Sequence, residues 1–419
     1  MKYTAPRGTK DILPEEVHLW QFVENTCREV FAFYNYKEIR TPIFESTDIF
    51  SRSIGVGTDI VNKEMYTFLD RKGRSLTLRP EETAAVVRAG LENNLISPEV
   101  ITKLYYLGPM FRYERPQAGR QRQFHQAGVE VFGVDDPLVD AEIIEMNLVL
   151  FEKIGIKGLE ININSVGCKA CKPNYSEAIV NYFSDKIKDM CVDCKERLVV
   201  NPMRILDCKD AHCQKHIEHA PTSVDHLCGE CKIHFDLVQD WLKRLNVKYS
   251  INNRLVRGLD YYTRTVFEVV SKQLGAQNAI CGGGRYNNLV EEFGGKPTPA
   301  IGFAVGLERI IDIVHKLQVI GCKPQAVSLF IATLGHEAQK KGVELASQLR
   351  RAGLSVDLDY QGKALKSQMK AADRMKAKYV YIIGDDEIAK GSAMLKNMSN
   401  GQQQAIKFED LSKTLCEKY

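Results

Sequence analysis

The chain has 419 residues, 44% of them hydrophobic and 26% charged, enough to bury a sizeable core and to divide into two or three domains. Mean hydropathy is −0.25; no uninterrupted apolar run approaches the roughly 20 residues of a membrane span, and the opening MKYTAPRGTKDILPEE lacks the apolar core of a secretory signal. A cytoplasmic protein without membrane contact is expected, so the twelve cysteines read as reduced thiols or metal ligands rather than disulfides. Net charge is +4, and residues 325–419 hold the whole excess, with fifteen basic against eleven acidic side chains. That imbalance points weakly to a polyanionic partner there.

Pro14, Glu15 and Glu16 open an apolar pattern of Val17, Trp20, Val23, Cys27, Val30 and Phe31, which predicts a helix with acids at its positive end. YKEIRTPIF, MYTFLD and SLTLRP around the turn-like RKGR, then KLYYLGPMFR and QFHQAGVEVFG, read as short strands of an antiparallel sheet flanked by helices. From Cys168 to about Tyr249 the chain turns polar, helical and cysteine-rich, and strand signals return only at RGLDYYTRTVFEVV. A second break falls at residues 321–324. Beyond it VSLFIATL, GLSVDLDY and YVYIIGDDE alternate with two helical patterns, as in a βαβαβ unit. The expected class is α/β multidomain: a core of 1–167 and 250–320, a mostly helical insertion of 168–249, and a C-terminal mixed-sheet domain of 325–419.

In QFHQAGVEVF the period of two puts Gln126, Gly128 and Glu130 on one face. Gly128 leaves a gap in which a small ligand could lie between an amide and a carboxylate able to hold an ammonium or imidazolium; a solvated sheet face is the alternative. Arg112, Arg115, Arg120 and Arg122 come just before, and guanidinium forks suit a polyphosphate. In LVRGLDYYTRTVFE, read as another strand, alternation sends Arg257 and Tyr261 to one side and Tyr262 to the other or into a turn. Arg257 is costly to bury unless an anion meets it. CGGGRYNNLVEEFGG carries three glycines before Arg285 and Tyr286 but is neither a Walker loop nor a dinucleotide fingerprint. PAIGFAVGLERI places Arg309 in the first turn of a helix, where a cation is unfavourable without an anion, so Arg309 is a candidate phosphate contact.

In this order, these segments resemble the histidyl-tRNA synthetases, a family of class II aminoacyl-tRNA synthetases, over nearly the whole chain. RGTKDILP is similar to the family's N-terminal signature, YKEIRTP to motif 1, FRYERPQAGRQRQFHQAGVEVFG to motif 2 and PAIGFAVGLERI to motif 3. LVRGLDYYTRTVFE and GGGRYNNLVEEFGG resemble the two histidine-specific motifs. The resemblance implies a class II synthetase-like antiparallel sheet, ATP with Mg²⁺ and L-histidine as substrates, histidine tRNA as partner, a C-terminal anticodon-binding domain, and a homodimer formed through motif 1. It implies Arg112 and Arg309 at the ATP phosphates, with Arg120 beside them, and Arg257 at the reacting α-phosphate. Gln126 and Glu130 would hold the bound histidine, Glu81 and Thr83 its α-amino end, and Tyr261, Tyr262 and Tyr286 would shape its pocket. Two departures stand out. Glu82 replaces a frequent glycine and is expected to point away, while Asn287 and Asn288 replace a frequent aspartate and glycine, a change of turn geometry that left-handed asparagine would absorb.

A non-catalytic, synthetase-like regulatory or histidine-sensing paralogue is the competing reading. Such a protein would lack the anticodon domain and carry a degraded RGLDYY, and this chain keeps both. Two further features stand outside the motifs. Lys363, Lys366, Lys370 and Arg374 recur at helical spacing and form a basic stripe that would suit RNA or simply solvate a surface. Cys168/Cys171, Cys191/Cys194 and Cys228/Cys231 are CxxC pairs, with Cys208 and Cys213 near His212 and His216. Up to two structural Zn²⁺ sites could be assembled from them, with reduced packing cysteines as the alternative. The resemblance does not itself imply zinc; it places the insertion over the tRNA acceptor stem.

Overall fold

Helix α1 (Pro14–Phe33) starts where expected: Pro14 sits where a helix needs no N–H, and Glu15 and Glu16 occupy the first turn. Its stripe of Trp20, Val23, Cys27, Val30 and Phe31 is buried. The computed structural model describes residues 3–55, 58, 60–116, 119–272, 279–317 and 327–417, in two compact units, Met1–Cys322 and Lys323–Tyr419. The break expected at 321–324 lies outside the described residues.

After α1 come β1 (Lys37–Glu38), β2 (Phe44–Ser46), α2 (Thr47–Ile54), β3 (Tyr66–Leu69), β4 (Ser75–Leu78), α3 (Thr83–Glu92), β5 (Thr102–Phe111), β6 (Gln123–Phe132), α4 (Pro137–Ile154) and β7 (Leu159–Ser165). The cysteine-rich stretch is helical, with α5 (Lys172–Phe183), α6 (Val192–Val200), α7 (Ala211–Ile217) and α8 (Gly229–Arg244). Then follow β8 (Ser250–Ile251), β9 (Thr263–Ser271), β10 (Ala279–Arg285), α9 (Leu289–Glu292), β11 (Ala300–Gly306) and α10 (Leu307–Leu317). Eight strands form one sheet in the order β1-β5-β6-β11-β10-β9-β7-β8. Its interior pairings are antiparallel, and only the short outer strands β1 and β8 pair in parallel. The strands of IRTPIF, MYTFLD and SLTLRP do not join it: β2, β4 and β3 make a separate three-stranded sheet. The tight turn from Asp70 to Arg74 makes β3 and β4 a local hairpin, and β3 is largely exposed.

One face of the large sheet buries Ala127, Val129 and Val131 against α1, α4 and α10, and α8 adds Phe235, Val238 and Leu242 to the same core. The last helix of the cysteine-rich stretch is therefore packed into the body of the first unit. The opposite face carries Tyr106, Tyr261, Tyr262 and Tyr286.

The second unit runs β12 (Leu329–Thr333), α11 (His336–Arg351), β13 (Val356–Leu358), α12 (Leu365–Arg374), β14 (Tyr379–Ile383), β15 (Ser392–Asn397) and β16 (Gln403–Lys407). β13, β12 and β14 are parallel, and β15 and β16 extend them antiparallel, giving the mixed sheet. Among the described residues, no helix is long and apolar enough to cross a membrane.

Candidate active site

The alternation along β6 works as expected: odd-numbered residues enter the core with α1, while Gln126 and Glu130 face a cleft of about 260 Å³ on the other side of the sheet. All eleven side chains to which the resemblance gives a substrate role line this cleft. They divide into two networks.

The first is built on carboxylates. Glu130 is 1% exposed. Thr83 Oγ1 donates to its Oε1 at 2.7 Å and the Tyr286 hydroxyl donates to its Oε2. Glu81 accepts from the N–H groups of Thr83 and Ala84 at 2.8 and 3.0 Å, so its side chain caps the start of α3. Burial pushes Glu130 up to about 8, against the hydrogen bonds from Tyr286 and Thr83, and the like charges of Glu81 and Glu82 push the same way as burial. Burial also raises Glu81. Gln126 Oε1 is buried and has no hydrogen-bond partner among the described residues. The rings of Tyr261 and Tyr262 lie 4.8 Å apart, and Tyr261 meets Tyr286 edge-on at 5.6 Å.

The gap expected over Gly128 is not open. Tyr106 pairs with Gly128 across the β5–β6 ladder, and its hydroxyl occupies the place a Cβ on Gly128 would take. Spacing within one strand cannot reveal a neighbour supplied by the next. Gly302 is the glycine that makes room for the site, since a Cβ there would collide with the Glu130 carboxylate.

The second network is built on arginines. Arg112 Nε donates to the Pro80 carbonyl at 2.8 Å, and its guanidinium lies over the Phe124 ring. Arg120 pairs with Glu114 at 3.2 Å. Arg309, in the first turn of α10, donates to the carbonyls of Gly119 and Ala279. Burial and the neighbouring cations Arg120 and Arg112 hold its pKa below the usual guanidinium value, even though Glu114 and Glu268 favour its charge. Arg115 and Arg122 do not line the cleft; Arg122 instead covers the Tyr113 ring.

Arg257 differs from expectation. It does not lie on a strand: residues 252–262 form turns and loop, and β9 begins only at Thr263. Arg204 Nη1 donates to the Arg257 carbonyl at 3.2 Å, Asn201 Nδ2 to Asp260 Oδ1 at 2.8 Å, and the Asp260 N–H to the Ile54 carbonyl at 3.2 Å. These tethers replace a ladder, so Tyr261 and Tyr262 both reach the cleft instead of pointing apart. Arg257 Nη1 meets Glu268 at 2.8 Å, and its guanidinium fills the space beside Gly282, where a Cβ would collide with it.

Glu82 does turn away: it pairs with Arg79 at 2.9 Å and accepts from Thr41 Oγ1 at 2.6 Å, outside the cleft lining. Asn287 and Asn288 are not left-handed. Asn287 instead binds Asp135 and the Ala300 N–H through its side chain. Tyr106, Phe124, Glu114 and Glu268 line the cleft without having been singled out. Phe124 was accessible from the period of two that shows Gln126, and Glu268 from its alternation with the core residues Phe267 and Val269.

In the insertion the eight thiols gather as two quartets, Cys168 with Cys171, Cys228 and Cys231, and Cys191 with Cys194, Cys208 and Cys213; His212 and His216 belong to neither.

The family model described as Histidyl-tRNA synthetase matches residues 8–172 and 204–310, and the one described as Anticodon binding domain matches 328–418. The chain is 51% identical over 411 residues to the histidine–tRNA ligase of Halothermothrix orenii, covering 98% of each chain. To that of Desulfitobacterium hafniense it is 48% identical over 419 residues, covering 100% of this chain and 99% of the relative. The crystal structure of the apo histidyl-tRNA synthetase of S. aureus shares the fold with a TM-score of 0.83 at 40% identity, over 99% of both chains. The likeness spans the cleft and the C-terminal unit alike, and with it the chain belongs to the histidyl-tRNA synthetase family, with the class II synthetase fold.

Proposed function

We propose that the cleft joins L-histidine to ATP, giving histidyl adenylate and pyrophosphate, and that the chain then transfers the histidyl group to the 3′-terminal adenosine of histidine tRNA. The observation that carries this reading is the buried, unpartnered Gln126 Oε1 in the same lining as Glu81, Thr83 and Glu130. An orphaned buried acceptor costs about 1–3 kcal/mol until a donor reaches it. A histidine ammonium or ring N–H supplies that donor. Glu130 and Gln126 bind histidine, Glu81 and Thr83 receive its α-amino end, and Tyr261, Tyr262 and Tyr286 enclose it. Selectivity follows because an analogue without the ring N–H groups would leave buried partners unpaired.

Arg112, Arg120 and Arg309 take the ATP phosphates. A histidine carboxylate oxygen attacks the α-phosphorus and the bond to the bridging oxygen of pyrophosphate breaks. Arg257 is the catalytic cation, fixed beside the α-phosphoryl oxygens as charge shifts through the transition state, and alignment rather than proton transfer sets the rate. Mg²⁺ accompanying ATP neutralises phosphate charge, and Glu268 and Glu114 are carboxylates in the lining that suit it.

Residues 1–167 and 250–320 form the catalytic core, 168–249 is an insertion lying over the acceptor stem, and 325–419 binds the anticodon. The exposed residues Ile43, Phe44, Phe68 and Leu69 suit a homodimer interface next to YKEIRTP. The setting is the cytoplasm. A regulatory paralogue is disfavoured by the retained Arg257 and by the match of residues 328–418 to an anticodon-binding family. The test is histidine-dependent ATP–pyrophosphate exchange without tRNA, with Arg257→Ala alongside. Exchange that needs histidine and collapses in the variant is expected; a folded, magnesium-supplied protein that does not exchange would end the proposal.

A further inference from the structure

The four Sγ atoms of each cysteine quartet lie within 4.8 Å of one another. Cys168 Sγ is 3.7 Å from Cys171 Sγ and 3.9 Å from Cys228 Sγ, and in the second quartet Cys191 Sγ is 3.7 Å from Cys208 Sγ. A disulfide requires about 2.05 Å. Four thiolates at about 2.3 Å from one zinc ion sit on a tetrahedron whose edge is about 3.8 Å, the spacing found in both quartets. An iron–sulfur cluster divides its cysteines among separate irons and would spread them further. Packing of neutral thiols gives no reason for four sulfurs to converge twice at that spacing.

We propose that each quartet holds one structural zinc ion, and that the second ion fixes the segment gripping the Arg257 loop. Backbone N–H groups already point at the sulfurs, as outer-shell donors to bound thiolates do: Cys228 N–H to Cys171 Sγ at 3.1 Å and Cys191 N–H to Cys213 Sγ at 3.2 Å. Arg264, paired with Asp135, lies beside Cys231 and offsets the negative charge of a tetrathiolate centre. Cys168 and Cys171 follow β7 while Cys228 and Cys231 open α8, so the first ion joins the two ends of the insertion. The second quartet brackets residues 195–207. That stretch carries Asn201 and Arg204, whose side chains hold Asp260 and the Arg257 carbonyl.

The site assignment stands on the sulfur geometry; the positioning role rests also on the reading of Arg257 as the cation at the reacting phosphate. The test begins with zinc and iron analysis of the full-length protein purified under reducing conditions without chelator. Two zinc ions per chain and no iron are expected, falling to one in Cys171→Ser and to one in Cys208→Ser. Protein stripped and refilled with Co²⁺ should show the thiolate-to-cobalt charge transfer of tetrathiolate sites. A wild-type chain with neither zinc nor a cobalt spectrum, or with iron in place of zinc, overturns the sites whether or not the protein exchanges pyrophosphate, and it needs no variant to fold. For the positioning role, Cys208→Ser should lose roughly tenfold in the exchange kcat while its calorimetric affinity for histidine stays within about twofold. Unchanged exchange, or parallel loss of both, overturns that role.

Discussion

The two networks lining the cleft are held in opposite ways. The carboxylate side is satisfied internally: Glu130 takes Thr83 and Tyr286, and Glu81 takes the first N–H groups of α3. Three of the arginines lean on backbone carbonyls or on the cleft glutamate Glu114, and Arg257 has one carboxylate. A buried, mutually bonded set keeps its shape and suppresses its charge until a cationic ligand arrives. A set of cations with few acidic partners keeps its charge available for phosphate. The first arrangement suits recognition, the second suits stabilising a charged transition state.

The sharpest way to break this contrast is through the two glycines that make room for each network. Gly282→Ala should evict the Arg257 guanidinium, lowering exchange kcat by roughly 10²–10³-fold with histidine affinity within about threefold. Equal loss of kcat and affinity would mean the networks are not separable. Gly302→Ala presses on Glu130 instead and should act mainly on affinity. Glu130→Gln tests the same side without a steric change: histidine binding should weaken by about 10²-fold, and kcat at saturating histidine should fall far less. Calorimetry with steady-state exchange separates the two quantities.

What the sequence disclosed tracks how local each feature is. Alternation placed Gln126 and Glu130 correctly because a strand's period of two does not depend on its neighbours. It failed over Gly128, where Tyr106 comes from the adjacent strand, and at Arg257, whose loop is tethered by Asn201 and Arg204 from about 55 residues away. The CxxC pairs were visible from spacing. Which pairs meet was not, since nothing in the spacing favours joining Cys168 and Cys171 to Cys228 and Cys231 over the nearer Cys191 and Cys194. The three-stranded sheet escaped for the same reason: strand propensity does not say which sheet a strand joins.

Glu130 also gives the buried network a pH signature that the arginines lack. Burial raises its pKa from an ordinary carboxylate value to about 8. A group raised on folding contributes stability that is present below its unfolded pKa and is lost as pH rises through the folded value. The ligand-free protein should therefore lose stability between about pH 5 and pH 8 in proportion to this group. Glu130→Gln removes that loss, so its Tm relative to the parent should climb across this range, by roughly 2 °C or more. Parallel Tm curves would show that Glu130 titrates near its ordinary value and that its charge is not suppressed.

The smallest effect is expected in the C-terminal unit, where the basic stripe lies on the exposed face of a helix. Lys366, Lys370 and Arg374 lie exposed on α12, with Lys363 just before it, while Gln368 and Ala372 turn inward. The inward side explains why the basic side chains share one face. An exposed lysine that touches a phosphate contributes by releasing counterions, not by geometry, so removing one costs little and depends on salt. Lys370→Ala should weaken histidine tRNA binding a few-fold and lower the slope of log affinity against log salt by about one, leaving pyrophosphate exchange unchanged. An unchanged slope would assign the stripe to solvation. A loss of exchange would contradict the division of labour, because a surface cation outside the cleft has no part in aligning histidine with ATP.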